Sequence, residues 1–305
     1  MAIKKNILST LLFLVAGTLG VFAQPYVDIV NTGCQLFSSS YVHVNNTPSQ
    51  NQTNDYYLNL FFPKQLKNKD VLLFRINAER VDSYSSDSSS NSPSASLYAL
   101  SVPVGMQILS KNEKWKTTFL AIPKIAGALQ NSITAKEFQM GGALLFTYQK
   151  NNFLEYKIGL YYNREAFGNF FMPLGAIEWK ANKHWKFYGI IPSNYYVEYK
   201  CNDKLFFGLN FKAFTRSFQL AASQNNDYVR YNEEELKFYV DYFVYKKLLA
   251  FAEAGYNLGK NPIQYNEGTS FYCDTNPIYS PVKNYFLFNF GIAYRLRFDL
   301  LETKI

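Results

Sequence analysis

Few residues in this chain carry the types and spacing that chemistry needs. An acyl-transfer site requires a serine or cysteine, a histidine to activate it and a third polar group to hold the histidine. The only histidines are His43 and His184. His43 lies in Tyr41-Val42-His43-Val44, at the expected end of a strand beside Ser38 to Ser40, and His184 follows Asn182-Lys183 in an expected hairpin turn. Neither sits in a recognisable motif, so the chain reads as a non-enzyme, the alternative being a lipid-acting enzyme built on His43. Cys34, Cys201 and Cys273 are odd in number and lack CxxC spacing, which argues against a disulfide framework and against a metal site. Glu233-Glu234-Glu235 would alternate faces on a strand and cannot all converge on one ion, so the run is read as a solvated strand end. Calcium-loop, phosphate-loop and dinucleotide signatures are absent. No cofactor is expected, and nothing but charge would favour nucleic acid.

What remains is a set of polar residues at alternate positions: Glu155, Lys157, Asn210, Lys212, Arg216, Lys237, Asp241, Glu253, Arg295 and Arg297, with Asn257 and Asn289. On strands these would share one face and line the inside of a barrel. Cations outnumber acids among them, which predicts a weak anion preference if the interior is open. The opposing expectation is that Lys212, Arg216 and Arg297 pair with Glu155, Asp241 and Glu253 and plug the interior, a picture that inward Phe206, Phe214, Tyr239 and Phe243 favour.

The elements that must position them are two-faced. From Tyr285 to Phe298, Phe286, Phe288, Phe290, Ile292, Tyr294, Leu296 and Phe298 point one way, and Tyr285, Leu287, Asn289, Gly291, Ala293, Arg295 and Arg297 the other. Strand side chains alternate at period 2, so one face is apolar and aromatic while the other becomes cationic. Leu154 to Asn163, Leu205 to Phe214 and Leu236 to Tyr245 repeat the pattern. Each reads as a membrane barrel strand with lipid on one side.

Composition agrees. Hydrophobic residues make up 48% of the chain, and 25 Tyr with 27 Phe are more aromatic groups than a soluble core of this size readily hides. No run of about 18 apolar residues follows the N-terminus, so helical spans are not expected. Residues 1–23 carry Lys4 and Lys5, an apolar run from Ile7 to Val15 and small residues ending at Ala23, which is how a cleavable export signal reads. Its removal takes the charge excess from +8 to about +6. Residues 24–305 are then one barrel domain in the cell outer membrane, in contact with outer-membrane lipid and lipopolysaccharide.

Compact polar breaks at Lys67–Asp70, Lys111–Lys114, Lys150–Asn152, Asn182–His184 and Cys201–Lys204 suit hairpins, so consecutive strands should pair as an up-and-down meander. Asn45–Asp55, Ser83–Ser96, Ser223–Tyr228 and Lys260–Lys283 read as longer loops. The expected fold is all-β: a transmembrane antiparallel up-and-down β-barrel of about 12 strands, within a range of 10 to 14. An echo offset by about 70 residues sets Pro103-Val104-Gly105, Trp115-Lys116 and Ile122-Pro123 against Pro173-Leu174-Gly175, Trp185-Lys186 and Ile191-Pro192. Proline cannot donate to a ladder, so each PxG is expected to mark a bend at one height in the wall.

Tyr161-Tyr162-Asn163-Arg164-Glu165, the segment Phe170 to Trp179, Trp185, Ile191-Pro192 and Glu198-Tyr199-Lys200 together resemble a family of uncharacterised outer-membrane β-barrel proteins from Bacteroidota. The resemblance implies fold and compartment, and no activity or site residues. The functional expectation is a passive channel or transporter for small solutes; the alternative is a closed structural barrel whose loops bind a partner protein or glycan.

Overall fold

The computed structural model describes residues 26–42, 48–85, 95–129, 133–220, 227–261, 263–265 and 282–297. The export signal expected over 1–23, His43, Cys273 and Phe298 lie outside them. The strands are β1 (Tyr26–Val42), β2 (Pro48–Gln65), β3 (Val71–Ser85), β4 (Ala95–Ser101), β5 (Val104–Leu109), β6 (Trp115–Gly127), β7 (Phe138–Asn151), β8 (Leu154–Glu165) and β9 (Gly168–Lys180). They continue as β10 (Trp185–Ile190), β11 (Asn194–Lys200), β12 (Leu205–Gln219), β13 (Tyr228–Tyr245), β14 (Leu248–Asn261), β15 (Ile263–Tyr265) and β16 (Val282–Arg297). Neighbours in sequence pair antiparallel, and β1 pairs β16 from Tyr26↔Arg297 to Ser38↔Phe286, which closes the wall. Closure leaves no sheet edge along the seam, the condition for strands to stand in lipid.

The wall has fourteen strands, because β4 and β5 are two halves of one strand between β3 and β6, and β15 only caps β13. That is the top of the range expected from sequence and two above its central value. The expected loop Asn45–Asp55 is also shorter than read, since β2 already starts at Pro48. Strands that rise past the bilayer no longer have lipid on one side, so the apolar alternation that reveals them fades.

Fourteen strands place both ends of the meander together and sort the connections. One rim carries only short turns, at 66–70, 110–114, 152–153, 181–184, 201–204 and 246–247. The opposite rim carries the long connections at 43–47, 86–94, 128–137, 220–227 and 262–281, with two tight ones at 166–167 and 191–193. We call these the short-turn and long-loop rims.

The outward face is apolar around the barrel. Phe286, Phe288, Phe290 and Ile292 are exposed, Phe286 by 75%, while Leu287, Asn289, Ala293, Arg295 and Arg297 on the alternate positions are buried. Leu296 is an exception, only 6% exposed where β16 ends against β1. On β13 the outward residues from Leu236 to Tyr245 span ten positions, the length a tilted strand needs to cross a bilayer core. All three tryptophans, Trp115, Trp179 and Trp185, are exposed near the short-turn rim with Phe153 and Tyr245, forming part of an interfacial aromatic girdle.

The two PxG sites differ. Pro103 interrupts the strand between β4 and β5, whereas Pro173 lies within β9 opposite Leu160. Pro123 pairs within β6, but Pro192 sits at the tip of the β10–β11 hairpin. The echo therefore marks composition, not a repeated bend. A Cβ on Gly105 would lie 2.0 Å from the Phe119 carbonyl oxygen, whereas one on Gly175 would meet nothing nearer than 3.9 Å. Gly105→Ala is expected to cost about 2 kcal/mol through overpacking and Gly175→Ala much less; urea midpoints of the refolded barrels measure the difference.

The hairpin β10–β11 is unusually short, and it shapes everything above it. Its tip reaches only mid-wall, where Ile191 exchanges backbone bonds with Gly175 (2.8 and 2.9 Å) and Ala213 N donates to Pro192 O (2.9 Å). Beyond the tip β12 has no strand on that side and bends inward. Ser217 Oγ donates to Glu165 at 2.6 Å, and Ala166 N donates back to Ser217 Oγ at 2.8 Å.

A candidate functional site inside the barrel

The inward bend carries β12 across the lumen to the opposite wall. Gln219 pairs with Gly127 of β6, and Ala128 N donates to Gln219 O at 2.9 Å. Around this crossing Val81, Leu97, Ala126 and Ala128 from one side pack against Phe218, Leu220, Val229 and Tyr231 from the other, all nearly inaccessible. Small and β-branched inward residues on β3, β4 and β6 let the two walls meet. The result is an apolar latch at the long-loop end.

Immediately below the latch, Arg216 spans the lumen. It donates to Asp55 on β2 (2.9 Å) and Glu233 on β13 (2.6 Å), and it also contacts Glu79 on β3. A guanidinium offers five donors in a fixed fork, which suits it to hold three carboxylates from distant strands. Neighbouring pairs line the same wall: Lys237 with Glu235 (3.0 Å) and Glu253 (2.8 Å), and Arg295 bound through two nitrogens to Asp28 (2.6 and 3.0 Å) and also to Asp241. Glu233 and Glu235 are buried while Glu234 is exposed. The expected solvated strand end is therefore corrected: alternation turns two of the three glutamates inward, where cations meet them.

Toward the short-turn rim the interior fills. Arg297 reaches from β16 past three intervening strands to Glu198 on β11 (2.6 and 3.0 Å) and lies 3.8 Å above the Phe206 ring. Phe206, Phe243, Leu249, Phe251 and Ala293 pack beside it. Lys116 pairs with Glu155 at 3.0 Å and Lys157 with Glu178 at 2.5 Å.

Between latch and filled end lies a chamber of about 750 Å³. Of the ten residues singled out from sequence, Asn210, Lys212, Arg216, Lys237, Asp241, Glu253 and Arg295 line it. Glu155, Lys157 and Arg297 also face inward but belong to the packed region near the short-turn rim. Their pairings are new ones: Arg216 goes to Asp55, Glu79 and Glu233, and Arg297 to Glu198. The chamber lining carries six acids and six cations, so the cation excess behind the expected anion preference is absent. Asp28, Asp55, Glu79, Glu165 and Lys124 complete that balance and were not singled out from sequence.

Arg75 was also missed, although Leu73, Arg75, Asn77 and Glu79 alternate with Leu72, Phe74, Ile76 and Ala78 in the pattern already read elsewhere. It is exposed to the chamber, with its guanidinium 4.7 Å from the Phe61 ring centroid. Every other cation lining the chamber lies within 4.0 Å of a carboxylate; Arg75 makes no such contact among the described residues. His184, by contrast, is held structurally, with Nδ1 2.8 Å from Lys200 O and its ring stacked on Tyr199.

A closed antiparallel barrel with an apolar exterior and a charged interior defines the class: a transmembrane β-barrel. The chain belongs to the family described as a domain of unknown function (DUF6268), whose model matches residues 41–295. Among solved structures it is similar to the NanC porin, at 10% identity and a TM-score of 0.39, covering 87% of this chain and 100% of that one. It is also similar to an outer-membrane channel from Pseudomonas putida F1 (11% identity, TM-score 0.45, covering 88% and 96%) and to the P. putida toluene transporter TodX (10%, 0.35, covering 89% and 90%). Among curated proteins nothing matches.

Proposed function

We propose that this protein is an outer-membrane channel for small solutes and that the described conformation is its closed one. The observation that carries the reading is the polar chamber of about 750 Å³, into which Arg75 projects without an ion-pair partner among the described residues. A barrel serving only as a scaffold fills its interior with side chains. Here the walls at mid-height are charged and enclose open space, and the barriers are an apolar latch on one side and side-chain contacts on the other. The export signal over residues 1–23, a Bacteroidota source and contact with outer-membrane lipid and lipopolysaccharide belong to the same proposal. So does the orientation, with long loops facing outside the cell and short turns facing the periplasm.

In planar bilayers the purified protein is expected to give stepwise conductance. Arg75→Glu removes a lining cation that has no ion-pair partner among the described residues and adds an acid, so the anion-to-cation permeability ratio should fall about tenfold, with Lys212→Glu acting in the same direction more weakly. Silent bilayers, together with unchanged solute uptake into proteoliposomes, would favour the closed interaction barrel instead. The latch supports that second reading, since β3, β4, β6, β12 and β13 meet across the lumen there, together with Ala128 and Leu220 at the roots of two connections.

A further inference from the structure

The lysines of this barrel are sorted by rim. Five of the six short turns carry exposed lysines, Lys67 and Lys69, Lys111 and Lys114, Lys183, Lys204, and Lys246 and Lys247, and Lys150 stands two residues before the sixth, at 152–153. Only two exposed acids accompany these nine, Glu113 bound to Lys69 and Asp203 bound to Lys200 at 2.8 Å. At the long-loop rim the connecting segments contain a single basic residue, Lys136, which is followed by Glu137, and within two strand residues of them only Arg164, Lys260 and Lys283 are added. Segments 43–47, 86–94, 221–226 and 262–281 contain no Lys or Arg, while Asp87, Glu267 and Asp274 lie within them. Ordinary surface solvation would scatter lysines over both rims.

The basic ring has a defined height. Beside it on the outer wall stand Trp115, Trp179, Trp185 and Tyr245, with Phe153 in the turn 152–153 itself, the aromatic groups that settle at the lipid headgroup level. Lysines beside that girdle lie at the depth of the phosphates, and their flexible stems let the ammonium groups reach them.

We propose that the short-turn rim is a lysine collar that recruits anionic glycerophospholipids, binding the headgroup phosphodiesters of the leaflet that faces it. The inference rests on the barrel spanning a bilayer, but not on its conducting solute. Each lysine near an anionic membrane surface is worth about a fivefold gain in local occupancy, and the attraction falls with salt. The collar also gives the barrel a fixed sense, because only one rim is drawn to acidic headgroups.

The test uses the full chain folded into vesicles of phosphatidylcholine containing a minor fraction of spin-labelled phosphatidylglycerol or spin-labelled phosphatidylcholine. The unmodified protein should bind labelled phosphatidylglycerol several-fold more strongly than labelled phosphatidylcholine, with the preference largely lost in 0.5 M salt. In the variant K67Q/K111Q/K150Q/K183Q/K204Q/K246Q the preference should fall to about one. The matching Lys→Arg variant should retain it, and heat-modifiable gel mobility confirms folding of each. Equal preference in parent and Gln variant, or none in the parent, overturns the collar. An acidic peptide that binds the parent while phosphatidylglycerol does not would also overturn it, assigning the ring to a protein. Failure of the parent to enter vesicles at all would instead sink the membrane-channel reading.

Discussion

Cutting Phe218 and Leu220 back to alanine is expected to open the chamber to the long-loop side. Both side chains are essentially inaccessible, 0% and 1% exposed, and they supply the apolar contacts with which β12 and β13 meet β3, β4 and β6. Loss of a buried phenylalanine removes about 3 kcal/mol or more, and loss of the leucine adds to it. For a latch in equilibrium between closed and open, 3 kcal/mol changes the populations by more than about a hundredfold. The measurement is the labelling rate of Arg75→Cys, in a background with Cys34, Cys201 and Cys273 changed to serine, by an impermeant maleimide added on the long-loop side. Acceleration of about that size is expected in F218A/L220A; an unchanged rate would show that the crossing is not the barrier.

Arg216→Ala should have the largest effect on stability. Its removal strands Asp55, Glu79 and Glu233, drawn from β2, β3 and β13, around a space with no cation at its centre. Breaking a buried pair by deleting one partner costs about 3–5 kcal/mol, because the remaining charges keep their desolvation penalty. Lys212 approaches Glu233 to 3.9 Å but is already shared with Glu235 at 4.0 Å, so it offsets only part of the loss. Urea unfolding in lipid, followed by tryptophan fluorescence, should show a loss near 3 kcal/mol, and adding E79Q and E233Q to the same chain should recover most of it. An unaltered midpoint in R216A would mean that water already screens the three carboxylates.

The wall was legible in sequence wherever lipid meets one face. β8, β12, β13 and β16 all show the alternation because bilayer and interior impose opposite demands on successive residues. Legibility failed where that contrast is lost. The first half of β2, from Pro48 to Asp55, lies toward the long-loop rim and is polar on both faces, so it reads as a loop. The inward residues could be assigned to a face, but not to one another: period 2 gives side without azimuth. Arg297 was set by charge alone against Glu155, Asp241 and Glu253, whereas it pairs with Glu198, 99 residues away in sequence and four positions around the wall. The latch was beyond sequence reasoning because Ala126, Gly127 and Phe218 look like ordinary wall residues. Only the short β10–β11 hairpin frees β12 to leave the cylinder, and strand length is what alternation reports least well.

That short hairpin also decides where the cylinder is weakest under load. β9 and β10 are joined by Lys186↔Lys180, Phe187↔Trp179 and the Gly175–Ile191 bridge, against fifteen matched positions between β12 and β13. A pulling force applied to the chain should unzip this join before any other, so the closed barrel opens into a single sheet with β9 and β10 at its two edges. Assembly run in reverse would make it the last seam to be sewn.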